Sequence, residues 1–275
     1  MQTTEYHLYR VKFIKPAQIN LFHPDISPKQ LFENGLAERP SIQIRNSNVW
    51  HIGNVEQITL SGGRFAVGRT TITTIEKFDP KTGDFTEQKD DSGPYTFVYF
   101  DSRLGLLAIG KRTKVASNVG SIARKLQKLF SSTEGVLHNR VEVRVDYIPD
   151  PESFLQKLHS AYAIKKFTAH FTGPNPIDAD ELFQRPLSYY CQQLNGEKGV
   201  VVVKGQSLNE SAVAAVAKST AATANSASAL IQTERGTRPI PISLGGNARK
   251  VLVEEDADKH HILQTVQDAY KQVRE

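Results

Sequence analysis

Apolar and polar residues alternate along much of the first half of the chain, and this pattern predicts several β-strands. The segments that show it are 6–15, 49–60, 65–78, 84–90, 95–100 and 104–109. The sequence Asp-Pro-Lys-Thr-Gly-Asp at 79–84 is typical of a tight turn, because Pro and Gly suit the backbone angles of a turn. We therefore expect 65–78 and 84–90 to form a hairpin.

Two helices are predicted in the same half. Ser27 and Pro28 predict the start of a short helix, since Ser caps unpaired N–H groups and Pro fits the first helical position. In the segment 117–130 the apolar residues recur at helical spacing. Three basic residues of this second helix lie outside the apolar stripe: Arg124, Lys125 and Lys128.

Helices and strands alternate in the second half of the chain. Arg140–Val145 alternates valine with charged residues and predicts a strand, as do 163–172 and 250–254. Helices are predicted at 151–162, 178–194, 208–222 and 258–274, with Pro186 dividing the second of them. The run Gly199–Lys204 is apolar on both faces, which predicts a central strand. Residues 236–247 are predicted to be an irregular connection.

These elements predict an α+β protein of two domains. Residues 1–133 are expected to form a β-rich domain that ends in the basic helix. Residues 134–275 are expected to form an α+β domain in which helices pack on a mixed sheet.

Basic residues are concentrated in the middle of the chain. The whole sequence has 34 Lys and Arg against 29 Asp and Glu, a net charge of +5. The segment Arg103–Arg144 alone has nine basic residues and two acidic ones, a net charge of +7. Such a concentration attracts polyanions, although a solvated face without a partner would have the same composition.

Composition excludes several other classes of protein. A single cysteine excludes a disulfide framework and a zinc site made of several thiolates. The first ten residues lack the basic and apolar regions of a signal peptide. The longest uncharged stretch, 219–233, is too polar to span a bilayer. We therefore expect a cytoplasmic protein that does not insert into membranes.

No catalytic motif is evident, so a role as an enzyme is not favoured and no cofactor or metal is expected. Cys191 lies in a helical, aromatic context without a His partner and is interpreted as a structural thiol. The adjacent pair His260 and His261 points in different directions on a helix. A metal-dependent nuclease that uses Glu142, Asp146 and Lys165–Lys166 remains an alternative.

The remaining hypothesis is binding of nucleic acid. A helix start near Ser117 offers N–H groups to phosphate, and basic residues precede and follow it. Aromatic residues for stacking are not evident, which favours duplex over single-stranded DNA, with weak dependence on sequence. An acidic protein partner is the alternative. The candidate binding residues are Lys111, Arg112, Lys114, Arg124, Lys125, Lys128, Arg140 and Arg144.

The order of elements over residues 95–275 resembles that of the RexA-like phage-exclusion proteins. The segments that carry the resemblance are 95–100, 104–110, 140–144 and Ile164–Gly173. The resemblance implies a prokaryotic DNA-binding protein of antiviral defence by abortive infection. It also implies a homodimer that acts with a separate effector protein, and it implies no catalytic residue.

Overall fold

The computed structural model describes residues 3–15, 26–45, 48–172, 180–194, 196 and 198–275. Within these ranges the strands are β1 (Thr3–Ile14), β2 (Ser41–Arg45), β3 (Asn48–Gln57), β4 (Gly62–Asp79), β5 (Asp84–Ser92), β6 (Tyr95–Asp101), β7 (Leu106–Gly110), β8 (Glu142–Tyr147), β9 (Ala163–Thr172), β10 (Lys198–Lys204), β11 (Ala227–Gln232), β12 (Ile240–Leu244) and β13 (Lys250–Glu254). The helices are α1 (Pro28–Ala37), α2 (Val119–Ser131), α3 (Glu134–His138), α4 (Glu152–His159), α5 (Gln184–Gln193), α6 (Glu210–Ala222) and α7 (Lys259–Arg274).

Most of the predicted elements are present because their local signals are strong. Ser27 caps α1 with a capping box, in which its hydroxyl accepts a bond from the Gln30 N–H and the Gln30 side chain accepts one from the Ser27 N–H. The 79–84 turn joins β4 and β5 in the predicted hairpin. Pro186 falls in the first turn of α5, where it is tolerated, and the predicted start of this helix at 178 lies outside the described residues.

The larger sheet has nine strands in the order β13-β1-β7-β6-β4-β3-β2, with β5 paired to β4 and β8 paired to β1. One edge of β1 is shared, since β13 pairs with residues 3–7 and β8 with residues 9–14. The other edge pairs with β7. At the junction Leu8 donates to the Arg249 carbonyl and accepts from the Ile148 N–H, both at 2.9 Å.

Two apolar cores lie on opposite faces of this sheet. Tyr9, Val11 and Phe13 of β1 face the first core, where they pack with α1, α2 and α3. Tyr6 and Leu8 of β1 face the second core, where α4, α6, α7 and the smaller sheet pack. Because successive residues of a strand point to opposite faces, the residue number in β1 decides which layer a side chain meets.

The smaller sheet has four strands in the order β10-β9-β11-β12. The α+β class predicted from the sequence is confirmed, and the pairing within this sheet is antiparallel throughout rather than mixed. The prediction of a central strand at 199–204 is wrong, because β10 lies at an edge of the sheet. The residues predicted to form an irregular connection include β12, which pairs with β11.

The sheets are not divided at residue 133, where the sequence predicted a domain boundary. β8 and β13 both come after that position and both pair with β1. The second core also joins side chains from both halves, among them Tyr99 and Tyr270. None of the helices in the described part of the chain is long and apolar enough to cross a membrane.

Candidate nucleic-acid interface

Helix α2 lies on the first core and turns its polar side outward. Asn118 caps it, with its side-chain oxygen accepting the Ser121 N–H at 2.8 Å. The buried residues of the helix include Ile122, Leu126 and Phe130, as the apolar spacing predicted. Packing on one side of the helix therefore fixes which residues face away from the sheet.

The residues that α2 turns outward include Arg124 and Lys128, and both are exposed. The Arg124 guanidinium donates to the Ser121 hydroxyl at 3.1 Å. Lys114, in the turn directly before the helix, is exposed as well. Among the described residues, none of these three cations forms a salt bridge, so their charge is not neutralised locally.

Lys125 is half-buried and contacts an aromatic ring. Its ammonium nitrogen lies 6.0 Å from the centroid of the Trp50 ring, at the outer limit of a cation–π contact. Trp50 itself is buried in the first core. Lys125 therefore combines a positive charge with a fixed position at the base of the outward face of α2.

Lys111 lies on the same side of the sheet as α2, but it forms an ion pair with an acidic residue. Its ammonium is 3.4 Å from a carboxylate oxygen of Glu5, which also contacts His7 and Lys250. The hydrogen bond from His7, followed by the charges of the two lysines, lowers the pKa of Glu5, against the opposing effect of partial burial. Lys111 is thus engaged within the protein.

Arg112 lies on the opposite side of the sheet. Its guanidinium donates to the Tyr95 carbonyl at 2.9 Å and lies 5.5 Å from the centroid of the Tyr95 ring. Tyr95 shares a face of β6 with Tyr99, which belongs to the second core. The sequence analysis missed Tyr95, an aromatic residue that is partly exposed. The alternation within 95–100 indicated the face of the strand on which Tyr95 lies. It indicated neither the exposure of the ring nor its contact with an arginine.

Arg144 also lies on the opposite side from α2. Val143 and Val145 face the first core, so Arg144 between them points to the other face. Its guanidinium binds both carboxylate oxygens of Glu142, at 2.6 and 3.1 Å. Arg140 is exposed in the turn between α3 and β8, with a φ of 51°. The predicted continuous basic surface over 103–144 is therefore divided by the sheet.

The residues of the nuclease alternative are held by other contacts. The Asp146 carboxylate is 3.4 Å from the Lys12 ammonium, and Glu142 pairs with Arg144. Lys165, on the smaller sheet, donates to the Gln206 carbonyl at 2.7 Å. In the described ranges, no group of three or more His, Cys, Asp and Glu side chains is placed to hold a metal ion.

Of the eight predicted binding residues, the structure places four together around α2. Lys114 precedes the helix, and Arg124, Lys125 and Lys128 lie along it. Backbone N–H groups at the start of the helix lie beside the exposed residues Ser117 and Asn118. This arrangement suits an extended anion with regularly spaced charges.

Comparison with known proteins identifies one family. Residues 19–210 match the family described as "Domain of unknown function (DUF4747)", which covers more than half of the chain. No curated protein matches the sequence. The chain therefore belongs to the DUF4747 family.

Proposed function

We propose that this protein binds duplex nucleic acid, in the first instance DNA, through the outward face of α2 and the turn before it. The observation that supports the proposal is the set of cations on this face, of which Lys114, Arg124 and Lys128 have no salt-bridge partner in the described part of the chain. Unpaired surface cations release phosphate counterions on binding, so the interaction is expected to depend strongly on salt.

The chemistry of this face suits the phosphate backbone rather than the bases. Its side chains are Lys and Arg, with the Ser117 and Ser121 hydroxyls at the start of the helix. Phosphate contacts of this kind position a duplex but carry little sequence information. The binding we propose is therefore weakly dependent on sequence.

The biological context that we propose is prokaryotic anti-phage defence. It rests on the resemblance of the element order to RexA-like phage-exclusion proteins, in which a DNA-binding protein acts with a separate effector. A test is the plating efficiency of phage on bacteria that produce the protein. We expect protection with the wild type and loss of protection when the α2 cations are reversed.

Binding is tested by fluorescence anisotropy with a labelled random duplex at two salt concentrations, with and without magnesium. The variant Arg124→Glu/Lys125→Glu/Lys128→Glu should bind at least about tenfold more weakly than the wild type and show a smaller salt slope. A matched control reverses three exposed basic residues on the other side of the larger sheet, Lys157, Arg238 and Lys271. Equal losses in the two triple variants would mean a nonspecific effect of net charge.

The other outcomes separate the alternatives. Absence of binding at low salt would contradict the proposal and leave the α2 face to an acidic protein partner. Magnesium-dependent cleavage of the duplex would instead favour the nuclease.

A further inference from the structure

The β4–β5 hairpin extends beyond the larger sheet as a two-stranded arm. β4 pairs with β3 as far as Thr70 and with β6 as far as Gly68. Residues 71–79 of β4 pair only with β5 among the described strands. Nine residues of strand span about 30 Å. A two-stranded hairpin of this length gains little stability by itself in water, so its surface lacks the support of a core.

The end of the arm exposes two aromatic rings beside acidic residues. Phe78 and Phe85 are directly cross-strand, with ring centroids 5.2 Å apart. They are 54% and 81% exposed. The sequence of β5 contains four acidic residues and one lysine, a net charge of −3. The arm therefore offers an apolar pair and a negatively charged strand.

A second strand edge in the protein has the complementary character. β10 pairs with β9, and its other edge has no partner among the described strands. Val200, Val202 and Val203 are each about half-exposed. Lys198 and Lys204 stand at the two ends of β10, which contains no acidic residue. These lysines oppose pairing of β10 with another β10, because like charges would stand opposite one another.

We propose that the partner of the arm is a second copy of this chain, in which β5 of one copy pairs antiparallel with β10 of the other. Opposite charges at the two strands select the register that puts Asp84 across from Lys204. In that register Phe85 faces Val203, which extends the row of Phe78 and Phe85. Position 90, an aspartate in the sequence, is then across from Lys198.

Each copy has both an arm and a β10 edge, so the contact that we propose is made twice, once in each direction. Two copies related by a twofold axis exchange arms and leave neither strand edge unpaired, which closes the assembly as a dimer. The pairing adds main-chain hydrogen bonds at two strand edges and places Val203 beside Phe85. It does not involve the outward face of α2, so it stands independently of the proposed function.

The first experiment measures the molar mass of the full chain by sedimentation equilibrium. We expect a dimer whose dissociation constant rises about tenfold in Asp84→Lys and in Lys204→Asp, because two symmetric charge pairs become repulsive. The double variant Asp84→Lys/Lys204→Asp restores opposite charges and should recover most of the affinity. Recovery in the double variant shows that the single variants fold. A monomeric wild type, or a double variant no better than the single ones, overturns the proposal.

The second experiment identifies the two strands in contact. The only native cysteine, Cys191, is buried, so introduced cysteines report on their own surroundings. Phe85→Cys and Val203→Cys proteins are prepared separately, mixed, and oxidised with diamide, which accepts the two thiol protons and electrons as the disulfide forms. We expect a covalent dimer in the mixture and little in either protein alone. Covalent dimers of Val203→Cys with itself would show β10–β10 pairing and overturn the assignment.

Discussion

The Arg10 guanidinium donates a 2.7 Å hydrogen bond to the Tyr270 hydroxyl, which joins the first strand to the last helix across the second core. The same nitrogen donates to the Ala222 carbonyl at 2.7 Å, at the carboxyl end of α6. Arg10 is only 2% exposed, so these oxygens replace the water that a charged group would otherwise bind. The attachment of the α6 and α7 layer to the sheet therefore depends on a buried cation.

Removal of the Tyr270 hydroxyl should destabilise the protein. Tyr270→Phe keeps the ring next to Arg10 but deletes one of its acceptors, and a buried charged donor that loses an acceptor costs about 1–3 kcal/mol. Urea unfolding measures the change in the free energy of unfolding. The control is Tyr189→Phe at an exposed position of α5, which should leave that free energy nearly unchanged. Equal stability of the two variants would contradict the prediction.

Stability should rise with pH between about 8 and 10 because of Lys12. Burial, against the opposing effect of Asp146, lowers the pKa of Lys12 to about 8. Above that pH the folded protein has released a proton that the unfolded chain still binds, so the folded state is favoured as pH increases. Urea unfolding at several pH values should show this rise in the wild type.

The variant Lys12→Met provides the comparison for that pH profile. It removes the titrating group, so its stability should lack the rise between pH 8 and 10 whatever its absolute value. Tyr6, Tyr9 and Tyr99 have raised pKa values through burial and contribute to both proteins equally at higher pH. Parallel profiles for wild type and variant would show that Lys12 is not the source.

Two glycines of neighbouring strands should respond differently to alanine. A Cβ at Gly63 would lie 2.4 Å from the Glu56 carbonyl oxygen and 2.7 Å from the Phe100 ring, whereas at Gly53 it would meet nothing within 4 Å. Gly63→Ala should therefore cost about 1–3 kcal/mol of unfolding free energy. Gly53→Ala should be neutral or slightly stabilising, and thermal unfolding of the pair compares them directly. A smaller loss at Gly63 than at Gly53 would contradict the predicted close approach.

Nucleic-acid binding should distinguish Lys128 from Arg144, although both belong to the basic segment. Lys128→Gln should weaken duplex binding and reduce the salt slope by about one. Arg144→Gln should leave the affinity within about twofold, because Arg144 lies on the other face and already binds Glu142. Anisotropy titrations of the two variants under identical salt provide the measurement. A larger loss for Arg144→Gln would mean that the binding face is not the one around α2.

Local signals predicted the elements of this fold well. Caps at Ser27, Asn209 and Asp258 precede helices close to their expected positions, and the turn after Asp79 produced the predicted hairpin. These features depend on residues a few positions apart. The short strand β2 was missed, because its five residues become ordered through pairing with β3.

Long-range pairing accounts for the predictions that were wrong or incomplete. The valines of β10 suggested burial on both faces, but the position of a strand in a sheet depends on which neighbours pair with it, and β9 takes its other partner from β11. Counting charges likewise located the basic residues along the chain, but it did not show on which face of the sheet each of them lies. The pairing of β8 with β1 places Arg144 on the side of the larger sheet opposite α2.

The divided edge of β1 sets an order of events during synthesis. Residues 3–7 of β1 pair with β13, which leaves the ribosome after the other strands that the structure describes. At a translation rate of about 5–20 residues per second, the interval between completion of β7 and of β13 is about 7 to 30 s. Through that interval residues 3–7 expose an unpaired strand edge, the kind of surface that promotes aggregation and chaperone capture.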